Sequence, residues 1–239
     1  MITLHDIFID LSGGEFSNLK IGAFNMNDPE SEPDPRSYLQ LIRHINLGLT
    51  AIYTEFLLRS EECYVELHEQ IALYHLDYRW ASSNAASTED PKYIIDTVAN
   101  PFNDNVLKIE EVYDEGGNLL RLNDPQEELS VFTPRFNTIQ VPWPNDFNTL
   151  AVQYRADHPT ISYVDGMAPD EVYVEVPRQL REALLFYVAS RVYAGINTEK
   201  PEANDYYRKY VAKINDINRI GLYITTDQDN DRFTEGGWL

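Results

Sequence analysis

Apolar residues recur at alternating spacings of four and three from Tyr38 through Ile42, Ile45, Leu49 and Ile52 to Phe56. That periodicity predicts one helical seam. Asp34 is placed to cap this helix and Pro35 to occupy its first turn, so it should run from about Pro35 to Leu57, roughly six turns. Beyond Leu57 the period falls to two. Cys63, Val65 and Leu67 alternate with Tyr64, Glu66 and His68, and Ile71, Leu73 and His75 alternate with Ala72, Tyr74 and Leu76. Two strands turning at Glu69 and Gln70 would satisfy that pattern as a hairpin.

From about 90 to 176 the chain reads as β structure. Val106 to Tyr113 and Leu119 to Leu122 flank Asp114-Glu115-Gly116-Gly117-Asn118, a turn-forming group between antiparallel strands. Further strands are expected at Asn137 to Val141, Thr149 to Ala156 and Val172 to Val176. Pro134, Pro142, Pro144, Pro159 and Pro169 interrupt them, which favours short strands with irregular connections.

Helix resumes after Pro177. Leu180, Leu184, Tyr187, Val188 and Val192 lie on one face from Arg178 to about Ala194, with Ala183, Ala189 and Ala194 permitting close approach and Gly195 and Asn197 as the stop. A third helix, capped by Thr198, starts near Glu199 and carries Ala203, Tyr207, Tyr210, Ile214 and Ile217 until Gly221. The first helix has no helical neighbour in sequence, so its stripe must find the other two. The expected fold class is α+β: a bundle of long helices (34–58 with 177–221) and an inserted antiparallel β region (59–176). An extended N-terminal segment (1–33) and an extended C-terminal arm (222–239) complete it.

Composition narrows the functions. The 239 residues carry 39 acidic against 19 basic side chains, a formal net charge of -20. Surfaces that grip nucleic acid phosphates concentrate Lys and Arg, so such a function is excluded, although a channel past which a polyanion slides is suited by like charge. Cys63 is the single cysteine, which removes internal disulfides and Cys-rich metal sites. The first residues lack the basic and apolar regions of a signal peptide, and no stretch is long and apolar enough to span a bilayer. A protein that is neither exported nor membrane-bound is expected.

No assembled chemistry emerges from the motifs. Asp227-Gln228-Asp229-Asn230-Asp231 has the alternation that opens a calcium loop, but the sixth position is Arg232, not glycine, and the twelfth is Trp238, not an acid. His5, His44, His68, His75 and His158 are scattered. His68 and His75 could approach each other across the expected hairpin, yet no ligand set joins them. There is no Gly-x-Ser-x-Gly, no phosphate-binding glycine loop and no Gly-x-Gly-x-x-Gly. Glu61 and Glu62, Glu110 and Glu111, and Glu127 and Glu128 are sequence neighbours of the kind any acidic surface produces. On a strand, such neighbours point to opposite faces. No enzyme, metal or cofactor is expected. Tyr187, Tyr207 and Tyr210 fall on the apolar stripes and are assigned to the core, whereas Tyr193 and Tyr206 are assigned to a subunit interface, where amphipathic aromatics are enriched.

The end of the sequence is unusual in placing Phe233 and Trp238 on a polar, acidic stretch. Aromatics of that size are normally buried, so this stretch reads as an arm that docks elsewhere. An ordered series of segments resembles the head-to-tail adaptor (tail connector) proteins of tailed bacteriophages. It comprises Gly14-Glu15-Phe16-Ser17-Asn18-Leu19, Ile45-Asn46-Leu47-Gly48-Leu49-Thr50 with Phe56, Pro101 through Ile109, and Phe132-Thr133-Pro134-Arg135. Tyr154 through Pro159, Glu182 through Tyr193, and Arg232-Phe233 with Gly237-Trp238 complete it. The resemblance implies a helical bundle packed side by side into a twelve-subunit ring beneath the portal, through which genomic DNA passes without specific binding. It also implies a C-terminal arm that reaches the portal, here Arg232, Phe233, Gly237, Trp238 and Leu239. A downstream tail or nozzle protein would bind the ring, and the protein would reside in the virion after assembly in the host cytoplasm. The alternative is a carbohydrate-binding tail module recognising host surface polysaccharide through aromatics of the β region.

Overall fold

The residues ahead of the long first seam are themselves helical. Thr3 Oγ1 accepts the Asp6 N–H at 3.1 Å and the Asp6 carboxylate accepts the Thr3 N–H at 3.0 Å, a reciprocal capping box that starts a helix at Leu4. Leu4, Ile7, Phe8 and Leu11 then bury one face. Within 1–33, expected to be extended, the stretch Leu4–Gly13 is therefore corrected to α-helix.

The computed structural model describes residues 2–16, 35–144, 148–164, 166, 168–196 and 202–221. In chain order its elements begin with β1 (Ile2–Thr3), α1 (Leu4–Gly13), α2 (Pro35–Glu55), β2 (Ser60–Glu66), β3 (Leu73–His75) and β4 (Ile94–Ile95). They continue with β5 (Val106–Tyr113), β6 (Phe132–Arg135), β7 (Thr138–Gln140), β8 (Thr149–Ala156), β9 (Tyr173–Val174), α3 (Arg178–Ile196) and α4 (Glu202–Ile220). The fold is α+β, and every strand pair within its sheets is antiparallel. The described residues divide into a helical unit, 2–56 with 158–221, and a β unit, Leu57–Asp157. The Asp34 and Thr198 caps lie outside the described residues, as does the arm 222–239.

In the helical unit, Tyr38, Ile42, Ile45, Leu49, Ile52 and Phe56 are all buried, as their spacing requires. Phe8 of α1 stacks on Tyr38 with ring centroids 5.0 Å apart. The α3 helix is buried on several sides at once, through Leu180, Ala183, Leu184, Leu185, Val188, Ala189, Val192 and Tyr193. It packs against α1, α2 and α4, so the single apolar face read from its sequence is too narrow. Side chains of α3 pack directly onto the α2 backbone at Gly48, where a Cβ would lie 2.7 Å from Leu184 Cδ1.

Residues 158–176, expected within the β insertion, belong to the helical unit. Asn46 of α2 holds them there by donating to the Ile161 carbonyl at 2.9 Å and accepting the Ile161 N–H at 3.0 Å. Tyr53 Oη donates to the Glu175 carbonyl at 2.7 Å, and β9 pairs with β1. An amide side chain and a phenol thus satisfy backbone groups that no sheet partner reaches.

In the β unit one sheet has the order β4-β2-β8-β5 and the other β3-β7-β6. Val65, Val112, Ile139, Leu150 and Val152 lie at the centre of its core. The expected hairpin at Glu69 and Gln70 does not form, because β2 is flanked by β4 and β8 while β3 pairs with β7. Two buried tyrosines replace the missing ladder. Tyr74 Oη accepts the His68 N–H at 2.8 Å and donates to the His68 carbonyl at 3.2 Å. Tyr93 Oη does the same at His75, at 2.8 and 3.1 Å. The two rings meet edge to face at 5.0 Å, and Trp80 stacks on Tyr93.

The Asp114 turn forms as expected, with its carboxylate accepting the Gly116 and Asn118 N–H groups. Pairing beyond it stops after the Tyr113–Leu119 bridge, and Leu122 turns to Val131 instead. Pro134 sits in β6, an edge strand, where its missing N–H removes no ladder bond from a central strand.

Candidate functional site

The portal-directed residues Arg232, Phe233, Gly237, Trp238 and Leu239 lie outside the described residues, as do Asp227, Asp229 and Asp231. The two interface tyrosines are described. Tyr193 is 5% exposed; its hydroxyl donates to the Glu15 carbonyl at 2.8 Å and its ring stacks on Tyr206 at 5.3 Å. Tyr206 is half-buried, with Lys209 Nζ 4.8 Å over its ring. Tyr193 therefore packs within its own unit and pins the segment just after α1.

A correction applies to Tyr207. Assigned to the core, it is 52% exposed, whereas Tyr210 is buried and Tyr187 half-buried. Helical spacing places Tyr207 on the stripe's rim, and its ring leans on Tyr210 at 5.9 Å without being covered. Tyr210 meets Tyr187 edge to face at 5.2 Å, and burial pushes the Tyr210 phenol up to about 12. Around these rings α2, α3 and α4 form a groove of about 490 Å³. Its walls include the small side chains of Ala51, Ser190, Ala194 and Ala203, and Arg191 places its guanidinium 5.6 Å from the Tyr187 ring centre. Such a groove can receive side chains from another helix but holds no nucleophile–base pair.

The β unit has two concavities. One, of about 560 Å³, lies beside Arg59, Glu61, Asp96, Phe102 and Tyr154. Its polar groups are committed to one another. Glu61 takes Arg59 on one oxygen and Asn105 and Tyr154 Oη on the other, each of the latter at 3.1 Å. Burial and the Glu61 charge push the Tyr154 phenol upward, so it stays protonated and donating. Cys63 at the same edge is buried, and that burial raises its thiol to about 12, which removes it as a nucleophile.

The second concavity, about 460 Å³, shares Glu62 and Tyr64 with the first and is completed by residues that include Tyr113, Ala151 and Gln153. Alternation along residues 60–66 puts Glu62 and Tyr64 on one face. Only register brings Tyr113 and Glu111 beside them, so sequence reasoning missed the group.

No family model and no curated protein matches this chain. The site must be read from its own geometry. Among the described residues no three His, Cys, Asp or Glu side chains are grouped to hold a metal. His75 Nδ1 lies 3.0 Å from Thr138 Oγ1, and His68 and His75 each meet a different buried tyrosine at the backbone, so the histidine pairing considered for the hairpin does not occur. No helix of the described residues is long and apolar enough to cross a membrane.

The Asp96 carboxylate is anchored by three donors. Burial raises its pKa, but the Ser83 hydroxyl at 2.5 Å, the Phe102 N–H at 2.8 Å and the Ser83 N–H at 2.7 Å together outweigh burial and hold it below the usual range. A depressed folded-state pKa contributes stability above the unfolded value near 3.9, and that contribution disappears as pH falls through the folded value. Asp96→Asn should cost about 1.5–3 kcal/mol at pH 7, and less than that below pH 3. Urea melts at both pH values check this; an equal loss at both would rule out the charged carboxylate as the cause.

Proposed function

We propose that this chain is a non-enzymatic structural protein of a tailed-phage virion. It forms one subunit of an oligomeric adaptor ring that extends the portal's DNA channel and docks to the portal through its C-terminal arm. The observation that carries the reading is the uncovered aromatic groove of the helical unit, with Tyr207 exposed beside Val211 on α4. Such a face, lined with small residues, fits a second copy's helix. A repeated heterologous contact of that kind closes into a ring when the rotation permits. In this reading α2, α3 and α4 are the bundle that makes the lateral contacts. Twelve copies follow from the resemblance, and a downstream tail or nozzle protein binds the far side.

The net charge of -20 supports a lumen that repels DNA and lets it slide without a phosphate clamp. The ordered series of adaptor-like segments, ending in Arg232-Phe233 and Gly237-Trp238, supports an arm whose aromatics anchor on the neighbouring ring. Assembly takes place in the host cytoplasm and the product resides at the head-to-tail interface.

Negative-stain microscopy and portal co-purification test this directly. The full chain should give rings, and Tyr207→Glu should yield monomers with an unchanged melting temperature. Removing 227–239 should leave a folded subunit that no longer co-purifies with portal rings; wild-type yield from the truncated chain would overturn the role of the arm. A carbohydrate-binding tail module is the second reading, favoured by Phe136 and Trp143, which stand 61% and 57% exposed in the β unit. That protein would be retained on host polysaccharide and would form no rings.

A further inference from the structure

The open face of the four-stranded sheet carries two matched pairs of side chains. Tyr64 on β2 and Tyr113 on β5 both lie in register with Ala151 of the intervening β8. Glu62 and Glu111 both lie in register with Gln153. Adjacent strands are about 4.8 Å apart, so each pair spans about 9–10 Å, with the small Ala151 as the floor between the rings. A flat group in contact with both rings needs about 7–8 Å between them, twice the usual carbon contact distance.

Each phenol has a carboxylate two residues away on its own strand. Tyr113 Oη donates to Glu111 Oε2 at 2.6 Å, and the Glu62 carboxylate raises the Tyr64 phenol above its ordinary value. The Asp114 and Glu115 carboxylates at the end of the trough are occupied by the backbone N–H groups of Gly116, Asn118 and Asn148. What remains open is a trough lined by Tyr64, Tyr113 and Glu62, with Glu111 beside it through its bond to Tyr113 and no lysine or arginine among its lining residues. Thr149 and Gln153 are the remaining side-chain donors, so acceptors are in excess and a donor-rich cation fits better than a saccharide.

We propose that this trough docks an arginine side chain from a basic segment of a partner protein. The guanidinium is planar, stacks on aromatic faces and carries five donors, so it can lie between Tyr64 and Tyr113 while reaching Glu62 and Glu111; a lysine ammonium can satisfy only one side at a time. The partner must be basic, because this chain has 39 acidic and 19 basic residues and attracts such a segment at long range. This inference does not depend on the ring.

The test is an NMR titration of the full chain with capped Gly-Arg-Gly, against Gly-Lys-Gly, Gly-Ser-Gly and a neutral oligosaccharide. The arginine peptide should bind saturably, more tightly than the lysine peptide, and weaken with added salt. The Glu62→Gln/Glu111→Gln double variant should lose about tenfold or more in affinity, the scale of a charge-assisted hydrogen bond. Tyr64→Ala should weaken binding while Tyr64→Phe retains it, since stacking needs the ring and not the hydroxyl. Ring formation and melting of these surface variants should be unchanged, which separates failure here from failure of the adaptor reading. The proposal is overturned if the serine peptide binds as well as the arginine peptide, if the double variant binds undiminished, or if the oligosaccharide is the ligand whose binding the variants abolish.

Discussion

Arg155→Met should lower the stability of the β unit by about 3–5 kcal/mol, the usual loss when one partner of a buried ion pair is removed. Arg155 and Glu110 have side chains only 5% and 6% exposed. Both Arg155 Nε and Nη2 reach the same Glu110 oxygen, at 2.8 and 2.7 Å. The pair exists because β5 breaks register with β8 between Ile109 and Glu111, and the extra residue, Glu110, is re-aimed toward Arg155. Without the guanidinium, Glu110 stays buried with one weaker cation, Lys108, whose Nζ lies 3.7 Å away on a 47% exposed side chain. That lysine should bring the loss toward the lower end of the range. The Arg155→Met/Glu110→Leu double variant should recover most of the loss, because two apolar groups need no mutual charge. Urea denaturation of the single and double variants measures it. If the single variant unfolds with wild-type chains, the pair contributes nothing.

Gly48→Val should destabilise the helical unit by about 2–3 kcal/mol, the scale of overpacking in a filled interface. A Cβ at Gly48 would lie 2.7 Å from Leu184 Cδ1 and 3.0 Å from Tyr187 Cδ1. Leu184 is fully buried, so the methyl it would have to move has little free space. Gly48→Ala sets the same contact against a gain of up to about 1 kcal/mol in helix propensity, and should fall nearer to wild type. A graded series, glycine above alanine above valine in melting temperature, is the expected result. Equal melting of the valine variant and wild type would mean that α2 and α3 are not held together at Gly48. Leu184→Ala in the valine background should restore part of the stability by opening the volume the new side chain needs.

Much of the element pattern was legible. The seam from Tyr38 to Phe56 is buried along its whole length, and β8 spans Thr149–Ala156 as its alternation requires. The helix at Leu4–Gly13 also carries a legible signal, since Thr3 and Asp6 stand at capping-box spacing around Leu4, with Ile7, Phe8 and Leu11 following on one face. Other features were not legible. Nothing in the alternation of Cys63, Val65 and Leu67 distinguishes a hairpin neighbour from β8, because any antiparallel strand satisfies the same apolar face. Tyr207, expected in the core, is exposed for a related reason. A helical stripe gives direction around one helix, but the edge of its cover depends on how far the neighbouring helix extends over it.

The sequence by itself determined the three long helices and the longer strands, the acidity that excludes a phosphate-gripping surface, and the absence of a recognisable catalytic motif. These depend on local sterics, on the two side-chain periodicities and on composition, all of which are written along the chain. Only the tertiary structure decided which strands pair, which tyrosines are covered, that Glu110 meets Arg155, and that Tyr64 and Tyr113 flank Ala151. Those are contacts between segments distant in the chain, and many registers satisfy the same local pattern. The choice among them comes from packing the whole unit without a void or an unpaired polar group.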